Sequence, residues 1–178
     1  MNSTSILLFG RSGQIGWELA RCLAPHGRVV SVDRAHTDIG DLDAVRRLIR
    51  NSAPRIVVNA AAYTAVDRAE NDAALARLVN VDAPKVMADE VRQLGATLIH
   101  YSTDYVFDGL CSRAYLESDP TGPLNVYGET KLRGEEAIRA LHDKHIILRT
   151  SWVFASRGSN FLRTMLRQSE QRDELQVV

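Results

Sequence analysis

The chain has 178 residues, 45% of them hydrophobic, with 22 basic and 22 acidic side chains and a formal net charge of zero. That length suits one domain with its own core, and the balanced charge argues against nucleic acid or an anionic membrane as partner. Two cysteines, Cys22 and Cys111, make no disulfide framework; no apolar run nears the ~20 residues of a membrane span, and the N-terminus lacks the basic start of a signal peptide, so a cytoplasmic protein with reduced thiols is expected.

Along the chain, strands and helices alternate. "SILLFG" (5–10) is a short apolar run ending in glycine, as in a strand buried on both faces. "QIGWELARCLAPHG" follows as a helix with Ile15, Leu19, Cys22 and Leu23 on one stripe, stopped by Pro25 and Gly27. "RVVSVD" is a second strand and "DLDAVRRLIRNSAP" a second helix, with Asp41 as its N-cap. "RIVVNAAAY" is a third strand, and a helical region runs from Val66 to Gly95, bent near Pro84. "ATLIHYSTDYVFDG" is a fourth strand, followed by a loop rich in Ser, Asp, Pro and Gly from Asp108 to Asn125. The next helix begins in "PLNVYGETKLRGEEAIRAL", and "HIILRTSWVF" is a further strand. "DELQVV" reads as the start of one more. The alternation predicts a doubly wound α/β domain, a parallel sheet covered by helices on both faces.

Ligands of such sheets sit beyond the carboxyl ends of the strands, and three features of the sequence fall there. The first strand runs into "GRSGQIG", with Gly10, Gly13 and Gly16 spaced to make a tight turn against a helix N-terminus, where a pyrophosphate can meet backbone N–H groups. Asp33 ends the second strand, at the distance of a carboxylate that reaches an adenosine ribose. Tyr127, Lys131, Gly134, Ile138 and Leu141 share one helical face that otherwise reads as buried. A lysine is costly there, and one use for it is to lower the pKa of a phenol one turn away so that the phenol can exchange a proton. Ser102 and Thr103 close the fourth strand with hydroxyls that can polarise a carbonyl.

A Ser/Thr hydroxyl, a tyrosine and a helical lysine on a dinucleotide-type sheet resemble the short-chain dehydrogenase/reductase superfamily, in its extended branch acting on nucleotide sugars. Five blocks in order, "LLFGRSGQIGWEL", "NAAAYTAVDRAE", "HYSTDYVFDG", "PLNVYGETKLRGE" and "LRTSWVF", resemble the dTDP-4-dehydrorhamnose reductases. The resemblance implies a Rossmann-like NAD(P)-binding domain over residues 1–178 and reduction of the C4 ketone of dTDP-4-dehydro-L-rhamnose to dTDP-L-rhamnose with NADPH or NADH, a step towards bacterial surface polysaccharide. The implied partner is the dTDP-sugar, with no nucleic acid or membrane, and a homodimer left open.

Carried onto matching positions, the resemblance implies Tyr127 as proton donor, Lys131 as its partner and ribose ligand, and Thr103 as the group orienting the ketone. Gly13, Gln14 and Ile15 would line the pyrophosphate, with Gly10 and Gly16 shaping the turn. Asp33 would meet the adenosine ribose, and Asp41 with Leu42 the adenine. Ala62, Tyr63, Thr64 and Tyr101 would flank the cofactor, while Asp104 and Trp152 would contact the sugar nucleotide. No metal ligands are assigned. Asp67 and Glu70 read as a helix-start pair without a chemical role. The resemblance also implies a C-terminal part that completes the sugar-nucleotide pocket. Three rivals share the scaffold. A nucleotide-sugar dehydratase needs a second carboxylate where Tyr105 stands; a nucleotide-sugar epimerase uses the same triad; a regulatory subunit would bind cofactor without turnover.

Overall fold

The computed structural model describes residues 4–172 and 174. Five strands, β1 (Ser5–Phe9), β2 (Arg28–Val32), β3 (Ile56–Asn59), β4 (Thr97–Thr103) and β5 (His145–Thr150), form one parallel sheet in the order β2-β1-β3-β4-β5. The chain first winds from β1 to β2 and then crosses back to β3 on the other side of β1. The carboxyl ends of β1 and β3 therefore part at a switch point, where an open α/β sheet has its crevice. "DELQVV", read as a further strand, lies almost wholly outside the described residues.

Because strand side chains alternate, each strand feeds two cores. Leu7, Phe9, Val57 and Leu98 point to one face and pack under α2 (Leu42–Ser52), α5 (Ala83–Leu94) and α6 (Val126–Leu141), against Val45, Ile49, Met87, Val91 and Ile138. Ile6, Leu8 and Val58 point the other way, onto Leu19, Ala20 and Leu23 of α1 (Gln14–Cys22) and the turn after it. Cover on this second face is partial: Ile146 and Leu148 of β5 remain exposed. Cys22, expected on the buried stripe of α1, is also exposed. The helix ends there, and Leu23 takes up the packing.

The N-cap expected at Asp41 holds, and the structure adds a second at Asn125. Asp41 accepts from Ala44 N of α2 at 2.9 Å, and Asn125 accepts from Gly128 N of α6 at 2.8 Å. The region read as one bent helix from Val66 is three helical pieces, α3 (Val66–Ala69), α4 (Ala73–Arg77) and α5, with a π turn at Leu78–Asp82 leading into α5. Pro84 has no N–H to return to the Asn80 carbonyl, so the α-helical ladder cannot run through unbroken. Asn80 is buried there, and its amide bonds Tyr63 N, Tyr63 O and the Thr130 hydroxyl, tying the segment after β3 to α6.

Candidate active site

A cleft of about 760 Å³ opens along the carboxyl ends of β1, β3 and β4. Its floor at one end is the glycine turn. Gly10 sits at φ +89°, and a Cβ on Gly16 would lie 2.0 Å from the Gly10 carbonyl oxygen, so turn and helix meet as closely as backbones allow. Among the described residues no side chain caps the first turn of α1, and Gly13, Gln14 and Ile15 line the cleft. These N–H groups and the positive end of the helix suit an anion such as a pyrophosphate. The loop after β5 closes over this turn. Gln14 Nε2 donates to Ser159 O at 3.3 Å, Asn160 Nδ2 donates to Gln14 Oε1 at 2.9 Å, and Arg157 stacks 3.6 Å over the Trp17 ring.

Asp33 stands on the rim beyond β2. Its Oδ1 takes the Ala35 and His36 N–H groups and the His36 ring at 2.7 Å, and the His36 contact is the main reason its carboxyl lies below the ordinary value. Arg34 beside it pairs with Asp38 at 3.1 Å. Asp41 and Leu42, expected at the adenine end, are not among the lining residues. Asp41 is committed to capping α2, and Thr37, Asp38 and Ile39 form that end of the cleft instead. Arg11 is exposed and also off the lining.

At the other end, Thr103, Tyr127 and Lys131 converge, as the sequence suggested, with Tyr63, Thr64, Ala62, Tyr101, Asp104 and Trp152 around them. Thr103 Oγ1 donates to Asp104 Oδ1 at 3.1 Å, and Ser151 Oγ donates to the other oxygen, Oδ2, at 2.7 Å. Asp104 therefore orients hydroxyls from β4 and from the loop after β5. Tyr127 lies edge-on to Tyr105, with ring centroids 5.5 Å apart. Trp152 is 72% exposed and stands edge-on to Phe161 of α7 (Phe161–Ser169).

The electrostatics differ from the expectation that Lys131 lowers the Tyr127 pKa. Burial raises the Tyr127 pKa and Asp104 and Tyr105 add to that, while a hydrogen bond to Thr103 acts the other way. Lys131 is 1% exposed, and its Nζ donates to the Tyr101 carbonyl at 2.6 Å and lies 3.2 Å from His100 Nε2. Burial lowers its pKa to about 8, against the pull of Glu135. The ammonium is thus anchored beneath the cleft floor, and the phenol keeps its proton at neutral pH.

Two residues in this network carried no local signal, namely His100 and Glu135. Both are fully buried. Alternation places His100 and Ser102 of β4 on the face under α6, where they meet Lys131 and Glu135. The match is geometric: two strand residues advance ~6.6 Å and four helical residues ~6 Å. Glu70, given no role from the sequence, accepts from Val126 N at 2.9 Å and so helps to hold the start of α6.

The model of the RmlD substrate binding domain family matches residues 4–178 of the chain. The dTDP-4-dehydrorhamnose reductase of Burkholderia thailandensis is 50% identical over 173 residues, which are 97% of this chain and 58% of that protein. The crystal structure of a dTDP-4-dehydrorhamnose reductase from Clostridium acetobutylicum superposes with a TM-score of 0.94 at 38% identity, over 98% of this chain and 62% of that one. The Bacillus anthracis reductase solved in complex with NADP gives 0.93 at 34% identity, over 97% of this chain and 62% of that one. The chain thus spans about three fifths of the length of these relatives.

Proposed function

Because the chain belongs to the RmlD substrate binding domain family, we propose that it forms the cofactor-binding part of an NAD(P)H-dependent reductase of dTDP-4-dehydro-L-rhamnose. On this reading residues 1–178 make the Rossmann-like NAD(P)-binding domain, and a C-terminal part of the kind the relatives' length accommodates completes the sugar-nucleotide pocket.

The residues fit a dinucleotide. The glycine turn and the uncapped start of α1 would hold the pyrophosphate, Asp33 and the stretch from Thr37 to Ile39 the adenosine end, and Tyr63, Tyr101 and Lys131 the nicotinamide end. When bound, the reduced nicotinamide supplies a hydride to the ketone carbon. The rest belongs to the protein. Thr103, whose one hydroxyl proton points to Asp104 in the structure, would turn that proton to the ketone oxygen. Tyr127 gives its proton to that oxygen as negative charge develops there, and the phenolate regains a proton from solvent.

One observation carries this reading: the phenol of Tyr127 lines the cleft beside Thr103 and is held protonated by burial. A general acid must start in its acid form, so a raised pKa favours the reductive direction at neutral pH. Asp104 and Trp152 are assigned to the sugar nucleotide, since both line this end and Trp152 presents an exposed ring. The test follows consumption of NADPH by the full-length protein carrying this chain, with dTDP-4-dehydro-L-rhamnose as substrate. Formation of dTDP-L-rhamnose is expected. Cofactor binding without any turnover would favour a regulatory subunit and overturn the reading.

A further inference from the structure

Asn160, the N-cap of α7, is buried, and its one carboxamide meets three partners. Oδ1 accepts from Arg163 N at 3.0 Å, while Nδ2 donates to Ala155 O and to Gln14 Oε1, each at 2.9 Å. Gln14 opens α1 and lies 146 residues away in sequence. A single amide thus closes the loop after β5 on itself, seats it on α7 and joins it to the glycine turn.

The directions of these bonds are forced, because a backbone N–H only donates and a carbonyl only accepts. Arg163 N fixes Oδ1 of Asn160, which leaves both amide hydrogens for Ala155 O and Gln14. Ser159 O, at 3.3 Å, fixes Nε2 of Gln14, which leaves Oε1 towards Asn160. Neither amide can be turned over without setting like against like.

The loop so held reaches both ends of the cleft. Gly158 and Ser159 line it beside Gln14, and Ser151 and Trp152 line it beside Asp104. Trp152 sits at φ +50°, a backbone conformation that a bulky residue keeps only where its surroundings impose it. Its ring rests edge-on against Phe161, the residue after Asn160. We propose that Asn160 is a positioning residue: by tying Gln14 to this loop it sets the distance between the cofactor's pyrophosphate and the Trp152 ring, and so the approach of hydride donor to ketone. A misplacement of about 1 Å at reacting atoms can cost ~10²-fold in rate. This consequence for reduction rests on the reductase reading; the joining of loop to α1 does not.

The test uses the full-length protein carrying this chain. Asn160→Asp keeps the shape and the cap of α7 but offers only acceptors to Ala155 O and Gln14 Oε1. Arg157 in the loop is exposed and stacks on Trp17 of α1. Trypsin cleavage after Arg157, mapped by mass spectrometry without cofactor, therefore reports release of the loop. Asn160→Asp should be cut about tenfold faster or more, with an unchanged melting temperature. Gln14→Leu removes the same bond from the other side and should also be cut faster; the double variant should be cut no faster than Asn160→Asp alone. Either single variant cut at the wild-type rate, or multiplied effects in the double variant, would overturn the proposal. So would a melting temperature that falls in step with the faster cutting, since that would make Asn160 a helix cap only. Should Asn160→Asp not fold, Gln14→Leu decides alone. In the reductase assay Asn160→Ser keeps a cap, adds no charge beside the pyrophosphate and is too short to reach Gln14. Its kcat should fall about 10–100-fold, with NADPH affinity changed less. A wild-type kcat would overturn the positioning role. Absent turnover in the wild type would sink the reductase reading and leave the cleavage result standing.

Discussion

Glu135 of α6 and Arg149 of β5 are joined by two parallel contacts, Arg149 Nε to Glu135 Oε1 at 3.0 Å and Nη2 to Oε2 at 2.7 Å. The same carboxylate accepts from Ser102 and Arg139, and the Arg149 guanidinium lies 4.8 Å over the Phe107 ring. This cluster rivets α6 to β4 and β5 beneath it, next to Lys131.

Removing the carboxylate charge leaves the largely buried Arg149 without compensation. Glu135→Gln should therefore cost about 3–5 kcal/mol of stability, the usual penalty for breaking a buried pair from one side. The pH dependence has a definite sign. Burial pushes the Glu135 carboxyl up, but the bonds from Arg149 and Ser102 and the nearby Arg139 hold it net below its ordinary value of 4.5. The folded state thus favours the charged form. Its contribution is present above the unfolded value and lost as pH falls through the folded one. Thermal melts of wild type and Glu135→Gln should converge in acid; parallel curves down to that range would contradict the assignment.

Tyr127→Phe keeps the ring and its packing against Tyr105 and removes only the hydroxyl proposed as proton source. NADPH affinity should change little, while reduction should slow by about 10²–10⁴-fold, the range of general acid catalysis. Since burial raises the Tyr127 pKa, wild-type reduction should hold through neutral pH and fall only as the phenol ionises in alkali. Fluorescence titration and steady-state kinetics separate the two effects. A Phe variant with near wild-type kcat would remove Tyr127 from the chemistry.

At Gly16 the glycine turn has no room for a methyl group. Gly16→Ala places a Cβ 2.0 Å from the Gly10 carbonyl oxygen, so either α1 or the turn must move. A loss of about 1–3 kcal/mol in stability is expected, as for other overpacked sites, together with loss of cofactor binding. Gly13→Ala meets the same oxygen at 3.4 Å and should melt near wild type. Equal melting temperatures for all three proteins would show that the turn is softer than its geometry implies.

Cofactor choice turns on Asp33 and Arg34. On the reductase reading the Asp33 carboxylate would favour a free 2′-hydroxyl, whereas Arg34, paired with Asp38 at the rim, would be able to meet a 2′-phosphate. Use of both NADH and NADPH is expected, with a modest preference for NADPH. Arg34→Ala should weaken NADPH about 2–5-fold relative to NADH, the scale of an exposed charge contact. Arg11→Ala should do less, because Arg11 stands off the cleft lining. Equal losses of both cofactors in Arg34→Ala would remove the phosphate contact.

Much of this was legible without coordinates, for a local reason. Apolar runs of strand length alternating with amphipathic helices dictate a parallel sheet, and the turn glycines, Asp33, Thr103 and the Tyr127–Lys131 pair each sit at a junction that periodicity locates. Asp41 could be read as a cap but not excluded from the cleft, because capping is a local property and the distance to a ligand is not. What Lys131 touches was decided only by the fold. Its partners His100 and Tyr101 lie 31 and 30 residues away in sequence, and they meet it because the sheet register and the seating of α6 set which strand residues fall beneath which helical turn. The one-turn spacing of Tyr127 and Lys131 suggested that the lysine serves the phenol. Burial and a competing carbonyl directed its Nζ inward instead, since a desolvated amine gains more from a fixed hydrogen-bond acceptor than from a neutral ring nearby.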